Sequence, residues 1–213
     1  MGKQARNSRR IGPRAEPQRR VTPPNRNIKV WVAAGVAGIV LVGLVVAATA
    51  LAVSSGKVGS NLLPAGTETF AESNHSHVSG PLTYDRVPPA GGAHNPTPLN
   101  CGIYTQPVPN ENAVHSLEHG TVWITYQPNL AADQIVALQQ LATSHYVGTE
   151  RYVILSPYAG LPSPIVASAW GAQLKVDSAS DSRLADFIHY FAGGAQGGEQ
   201  GAACTGGVGN PQA

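Results

Sequence analysis

From Val30 to Val53 the chain runs VWVAAGVAGIVLVGLVVAATALAV without one charged side chain, and this stretch decides what the rest can fold into. A segment of 18 or more apolar residues satisfies its own backbone hydrogen bonds only as a helix, and at about 1.5 Å per residue it reaches across about 30 Å of hydrocarbon. Residues 30–53 therefore read as one transmembrane helix. They divide the chain into a short arm before the membrane and a longer part after it.

Charge orients the crossing. The arm up to Lys29 carries nine basic residues against Glu16, a net of +8, whereas the remaining five basic and eleven acidic residues give −6. Because Lys and Arg are retained on the cytoplasmic side, the arm is expected inside and the C-terminal domain outside, at the cell membrane. Nucleic acid is not the expected partner of the arm, since no aromatic residue or folded element accompanies its charges. Ala48-Thr-Ala50 and Ala50-Leu-Ala52 would suit a signal peptidase. Yet a secretory apolar region is typically about 7 to 15 residues, so an uncleaved anchor fits better.

The arm, residues 1–29, has Pro13, Pro17, Pro23 and Pro24 among its charges and too little apolar surface to fold. Residues 54–66 are small and polar, as a stalk should be. Residues 67–204 are long enough for one domain with a modest core, and 205–213 read as a flexible tail. Inside the domain, Pro81 to Pro109 is dense in Pro, Gly and Asn and should form a long ordered loop.

Thr121 to Tyr126 is β-branched and aromatic, which predicts a strand. Residues 130–145 place Ile135, Leu138, Leu141 and Ala142 on one helical face, with Asn129 as cap. A second strand follows at Arg151–Ser156 and a third around Ile165 to Val176. Leu184, Phe187, Ile188 and Phe191 then recur with helical spacing, with Ser180 or Asp181 as cap and Gly193 as terminator. The order β-α-β-β-α predicts an α+β fold, a small mixed sheet with two packed helices.

Cys101 and Cys204 both fall on the outer side, where an even pair points to a disulfide. A thiolate metal site is the rival, but no CxxC pair is present.

Five of the seven histidines precede the first predicted strand: His75, His77, His94, His115 and His119. His115 and His119 are four apart, which on a helical turn ending at Gly120 puts both imidazoles on one face, able to share a metal. His94, on the Pro/Gly loop, is the expected third ligand. His75 and His77 are possible additions, since alternate residues of an extended segment point the same way. Copper or zinc suits imidazole donors. The bland alternative is that these histidines are structural hydrogen-bonding groups of a non-catalytic envelope module, His119 tying to Glu111 or Glu118. His145 and His189 are helix-end and surface histidines.

His115-Ser-Leu-Glu118-His119 also matches the H-x-x-E-H pattern in which two histidines hold zinc and the glutamate activates its water, so Glu118 is the alternative catalytic residue of a metal-dependent hydrolase. That pattern sits on long helices in larger domains with a further acidic ligand. The only late glutamate here is Glu199, in a Gly-rich stretch.

Several longer motifs resemble one family. Tyr84-Asp-Arg-Val-Pro-Pro89 followed by His94, Cys101-Gly-Ile-Tyr104, Glu111 through Tyr126, Leu155-Ser-Pro-Tyr158 and Ala169-Trp170 are similar to the family catalogued as domain of unknown function 3105. Gly91 and Ala93 stand where that family usually has Ser and Pro. The resemblance covers nearly the whole outer domain and implies a membrane-anchored bacterial protein, with no activity, substrate or protein partner attached.

A reporter fused after Ala213 that works only outside the cytoplasm is expected to be active, and N-terminal sequencing of the mature chain should find the arm still attached. Activity confined to a cytoplasmic reporter, or a mature start near Val53, would reverse the assignment.

Overall fold

The structure, a computed structural model, describes residues 62–146 and 151–212. The arm, the apolar run at 30–53 and most of the stalk lie outside the described residues. Among the described residues no helix is long and apolar enough to cross a membrane.

Among the described residues six strands form one mixed sheet: β1 (Glu68–Thr69), β2 (Gly102–Ile103), β3 (Val122–Tyr126), β4 (Val153–Pro157), β5 (Ile165–Ala169) and β6 (Ala172–Val176), in the order β1-β6-β5-β3-β4-β2. Among the described residues three helices accompany them, α1 (Asn110–Glu118), α2 (Ala132–Ser144) and α3 (Arg183–Phe191). The α+β class is as the sequence indicates, with one helix more than the two expected, because the H-x-x-E-H segment is itself the end of a nine-residue helix.

Strands β3, β4 and β5 are buried at every position, which their uncharged sequences VWITY, VILSP and IVASA permit. β3 and β4 are parallel, Val122 opposite Val153 through Tyr126 opposite Pro157. Parallel neighbours need a crossover, and α2 supplies it. β5 runs antiparallel to β3, and the expected single third strand is instead a hairpin, β5 and β6 joined at Trp170-Gly171. Gly171 has φ +68, where a side chain would be strained, and a Cβ there would lie 2.9 Å from the Phe70 carbonyl.

Period-two alternation sorts the strand side chains onto two faces. Val122, Ile124, Val153, Leu155, Ile165 and Leu174 pack on one side under α2 and α3, with Leu138, Phe187 and Phe191. Trp123 and Ile154 point the other way and meet Ala113, Val114 and Leu117 of α1, together with both cysteines and Trp170. The histidines belong to this second face.

The helix caps differ from the sequence reading. Ala131 and Ser182 occupy the N-cap positions of α2 and α3 without a side-chain cap, while the Asp181 carboxylate accepts from the Arg183 backbone N–H at 3.0 Å. Gly193, at φ +72, does end α3.

Cys101 and Cys204 are disulfide-bonded, both 2% exposed. Beyond the disulfide the chain does not fray at once. Val208 pairs with Leu99 and Gln212 with Ile103, and Asn100 donates to the Gly207 and Gly209 carbonyls at 3.3 and 2.8 Å. Backbone pairing, invisible in a Gly-rich composition, holds residues 207–212 along the β2 edge. The stalk boundary moves too, since Pro64 is buried and Arg183 donates to the Ala65 carbonyl.

The disulfide closes a loop with a sequence separation of 103. In the chain-entropy account such a loop stabilises by about 4.7 kcal/mol. Replacing both cysteines by Ser should lower stability by up to that amount in urea unfolding. Alkylation of the native protein without reductant should add no mass; two modified thiols would refute the bond.

Candidate metal centre

Helix α1 carries the site, and its sequence explains how. Glu111 in the first turn accepts from the Leu82 backbone N–H at 2.8 Å, fastening the Pro/Gly loop to the helix. The last six helical residues, Ala113 to Glu118, are all buried, although His115, Ser116 and Glu118 are polar. Gly120 then turns at φ +92, and a Cβ there would stand 2.6 Å from the Gly194 carbonyl. Only glycine lets the helix end press so closely on the segment leaving α3.

Three loop segments close around this helix. Residues 76–78 run beside His94, with His94 N–H donating to the Ser76 carbonyl at 3.0 Å and Val78 N–H to the His94 carbonyl at 2.7 Å. That pairing makes an isolated parallel bridge between His77 and His94. The chain after α3 returns over the helix end, where a Cβ on Gly197 would overlap the Glu118 backbone. This close return delivers Glu199.

His94, His115 and His119 are 0, 4 and 7% exposed, and each has one ring nitrogen occupied in the same way. Nδ1 of His94 donates to the Gly92 carbonyl at 2.8 Å, Nδ1 of His115 to Asn95 at 2.6 Å and Nδ1 of His119 to Ala203 at 2.9 Å. A carbonyl can only accept, so in a neutral ring the proton sits on Nδ1 and Nε2 keeps its lone pair. The three free Nε2 atoms turn toward two carboxylates. His94 Nε2 lies 2.8 Å from Glu118 Oε2 and His119 Nε2 3.1 Å from Glu199 Oε2, with His115 Nε2 4.0 Å from the same Glu199 oxygen.

Glu118 is the hub. Its Oε1 meets His75 Nδ1, while its Oε2 faces His94 and, at 3.7 Å, His77 Nε2. The five rings form a continuous group: His77 stacks on His115 at 4.8 Å, His94 stands edge-on to both, His119 packs on His115 at 4.7 Å, and His75 stacks on Trp170. Burial holds the His115 pKa below the ordinary imidazole range; the Asn95 carbonyl pulls the other way, and the neighbouring His119, His94 and His77 oppose a further positive charge.

Among buried side-chain atoms, His94 Nε2 and Glu118 Oε2 have no hydrogen-bond partner, although they are each other's neighbours. Two acceptors facing each other in a buried site repel and leave both desolvated, which costs free energy unless a proton or a metal cation lies between them. Donors about 2.0 to 2.2 Å from one tetrahedral ion lie about 3.3 to 3.6 Å apart, and the imidazole–carboxylate separations in the two groups run from 2.8 to 4.0 Å. His77, His94, His115 and Glu118 form one group that could hold a metal ion, and His115, His119 and Glu199 form another.

The sequence-predicted ligands are thus brought into one cluster but not into one trio. His94 and His119 fall in different groups, with His115 in both. Glu118 presents its carboxylate directly to the imidazoles, Oε1 bonded to His75 and Oε2 facing His94 and His77, and so sits among the candidate ligands. His119 ties to Ala203 and Glu199, not to Glu111 or Glu118. Two carboxylates, Glu118 and Glu199, belong to the donor groups. Glu199 is the residue that spacing missed, and only its being the last carboxylate in the chain singled it out. His145, bonded to the Leu141 carbonyl, is the C-cap of α2 and enters neither group.

A small α+β domain with a buried histidine–carboxylate cluster able to hold a metal ion is the class these features define. The chain belongs to the family described as protein of unknown function (DUF3105), whose profile matches residues 75–206. The match begins at His75 and takes in all five clustered histidines, both carboxylates and both cysteines. Comparison with curated proteins and with solved structures finds no match.

Gly197→Ala should force the returning segment off the helix end. A loss of about 1 to 3 kcal/mol, typical of overpacking, is expected in urea unfolding. An unchanged midpoint would show that the segment is not seated against Glu118.

Proposed function

We propose that this domain is a metal-binding module of the bacterial cell envelope, holding copper or zinc outside the cytoplasm and tethered there by the apolar segment at residues 30–53. The buried, partnerless pair of His94 Nε2 and Glu118 Oε2 carries the reading. Each imidazole is already oriented by a carbonyl on its far nitrogen, the arrangement that fixes tautomer and direction in metal-ligating histidines. Neutral imidazole with carboxylate suits zinc and copper(II), copper(II) standing higher in the general affinity order. The membrane is the one partner in this reading, and the −6 charge after residue 29 gives nucleic acid no basic surface.

Two observations separate this reading from its competitors. A structural role alone requires a second proton on His94, giving an imidazolium buried against Glu118, whereas a metal ion satisfies the same two atoms with neutral imidazole. A hydrolase built on H-x-x-E-H gains support from Glu199, which joins His115 and His119 as the acidic ligand that pattern needs, but Glu118 faces His75, His77 and His94 and stands among the ligands of the other group, not as a free base.

Full-length protein without a polyhistidine tag, purified in detergent and loaded with zinc or copper, should retain metal through gel filtration. His94→Ala/His115→Ala should abolish tight binding while circular dichroism shows the fold intact. Glu118→Gln, which keeps shape but removes the charge, should weaken binding by more than the roughly 10- to 100-fold expected of a group merely supporting a ligand. Undiminished metal in the folded double variant would end the proposal.

A further inference from the structure

We infer that the cluster is a two-ion centre, with His77, His94 and Glu118 holding one ion and His115, His119 and Glu199 the other; this rests on the metal-binding reading above. Seven donors converge: five imidazoles and two carboxylates. One ion of the zinc type takes about four ligands, so a single centre leaves the others without a role.

His115 decides the partition. Its Nδ1 is committed to the Asn95 carbonyl, so only Nε2 can coordinate, and a lone pair serves one ion. Assigned to the first group it would give that group four donors and leave only His119 and Glu199 in the second. Assigned to the second, it gives each ion two imidazoles and one carboxylate. Helix geometry favours this assignment, since His115 and His119 are four apart on α1 and the helix end. Both reach the same oxygen of Glu199, at 4.0 and 3.1 Å. In the first set, both reach the same oxygen of Glu118, His94 at 2.8 Å and His77 at 3.7 Å. Neither carboxylate oxygen is shared between sets. His75 holds the other oxygen of Glu118 and so orients it.

The sets are adjacent, the ring of His115 lying 4.8 Å from that of His77 and 4.9 Å from that of His94. Three donors per ion leave coordination positions open. Those positions are reached from the side where His75, His77 and Glu199 are 41, 43 and 44% exposed. The arrangement suits a small oxygen-donor anion or water touching both ions, as in two-metal sites with ions about 3.5 to 4 Å apart.

The test is zinc stoichiometry on the untagged full-length chain, by equilibrium dialysis and elemental analysis, followed by copper(II) loading and electron paramagnetic resonance. Wild type should hold two zinc ions and show a spectrum broadened or silenced by coupling. Glu199→Gln and His119→Ala, at the rim of the site, should each hold one ion and show an isolated copper spectrum, and His94→Ala should hold one ion on the other set. No zinc in wild type would defeat both this inference and the metal reading beneath it. One ion in wild type would defeat the pair alone, and two ions surviving in Glu199→Gln/His119→Ala would defeat the partition.

Discussion

Burial of a polar helix end is the constraint around which this domain is arranged. The second half of α1 is enclosed, yet His115, Ser116 and Glu118 would each cost a few kcal/mol there without partners. Each is met by a loop. Ser116 donates to the Leu99 carbonyl at 2.7 Å and accepts from Leu99 N–H at 2.9 Å, His115 donates to Asn95, and Glu118 receives imidazoles from residues 75, 77 and 94. The long Pro/Gly loop and the segment after α3 lack regular structure because their hydrogen-bonding groups serve the helix instead of a ladder.

The apolar framework was largely legible in the sequence. Strand Val122–Tyr126, the amphipathic pattern around Leu138 and Ala142, and the Leu184/Phe187/Ile188/Phe191 stripe all follow from burial periodicity, which is local information. The hairpin at Gly171 was hidden in one apolar stretch, because a two-residue turn interrupts hydrophobicity too briefly to register. β1 and β2, two residues each, have no period at all; their existence depends on partners supplied from elsewhere. The apolar run that gave the chain its division lies outside the described residues.

For the site, counting and spacing located His94, His115 and His119 but could not say which carboxylate faces which ring. Glu118 is three residues from His115 on the helix, so the chain alone placed it near that histidine; the rings it meets come from a loop instead. Glu199 sits 80 residues after His119 in a Gly-rich stretch, and the sequence offers nothing local that aims it. Tight glycine packing at Gly120 and Gly197 makes the aim, and such contacts are long-range by nature. The disulfide lies beside the same feature: Ala203, whose carbonyl orients His119, is next to Cys204.

The sheet margins carry a further consequence. β1 contributes only two exposed residues at one side, and β2 at the other is covered where Gln212 pairs with Ile103. A sheet whose outer strands are this short, or already paired by its own terminal segment, gives another copy almost no row of free peptide groups on which to add a strand. Strand addition between copies is most damaging where a population of molecules meets at high local concentration. Closing the margins lets such a population stay crowded without polymerising.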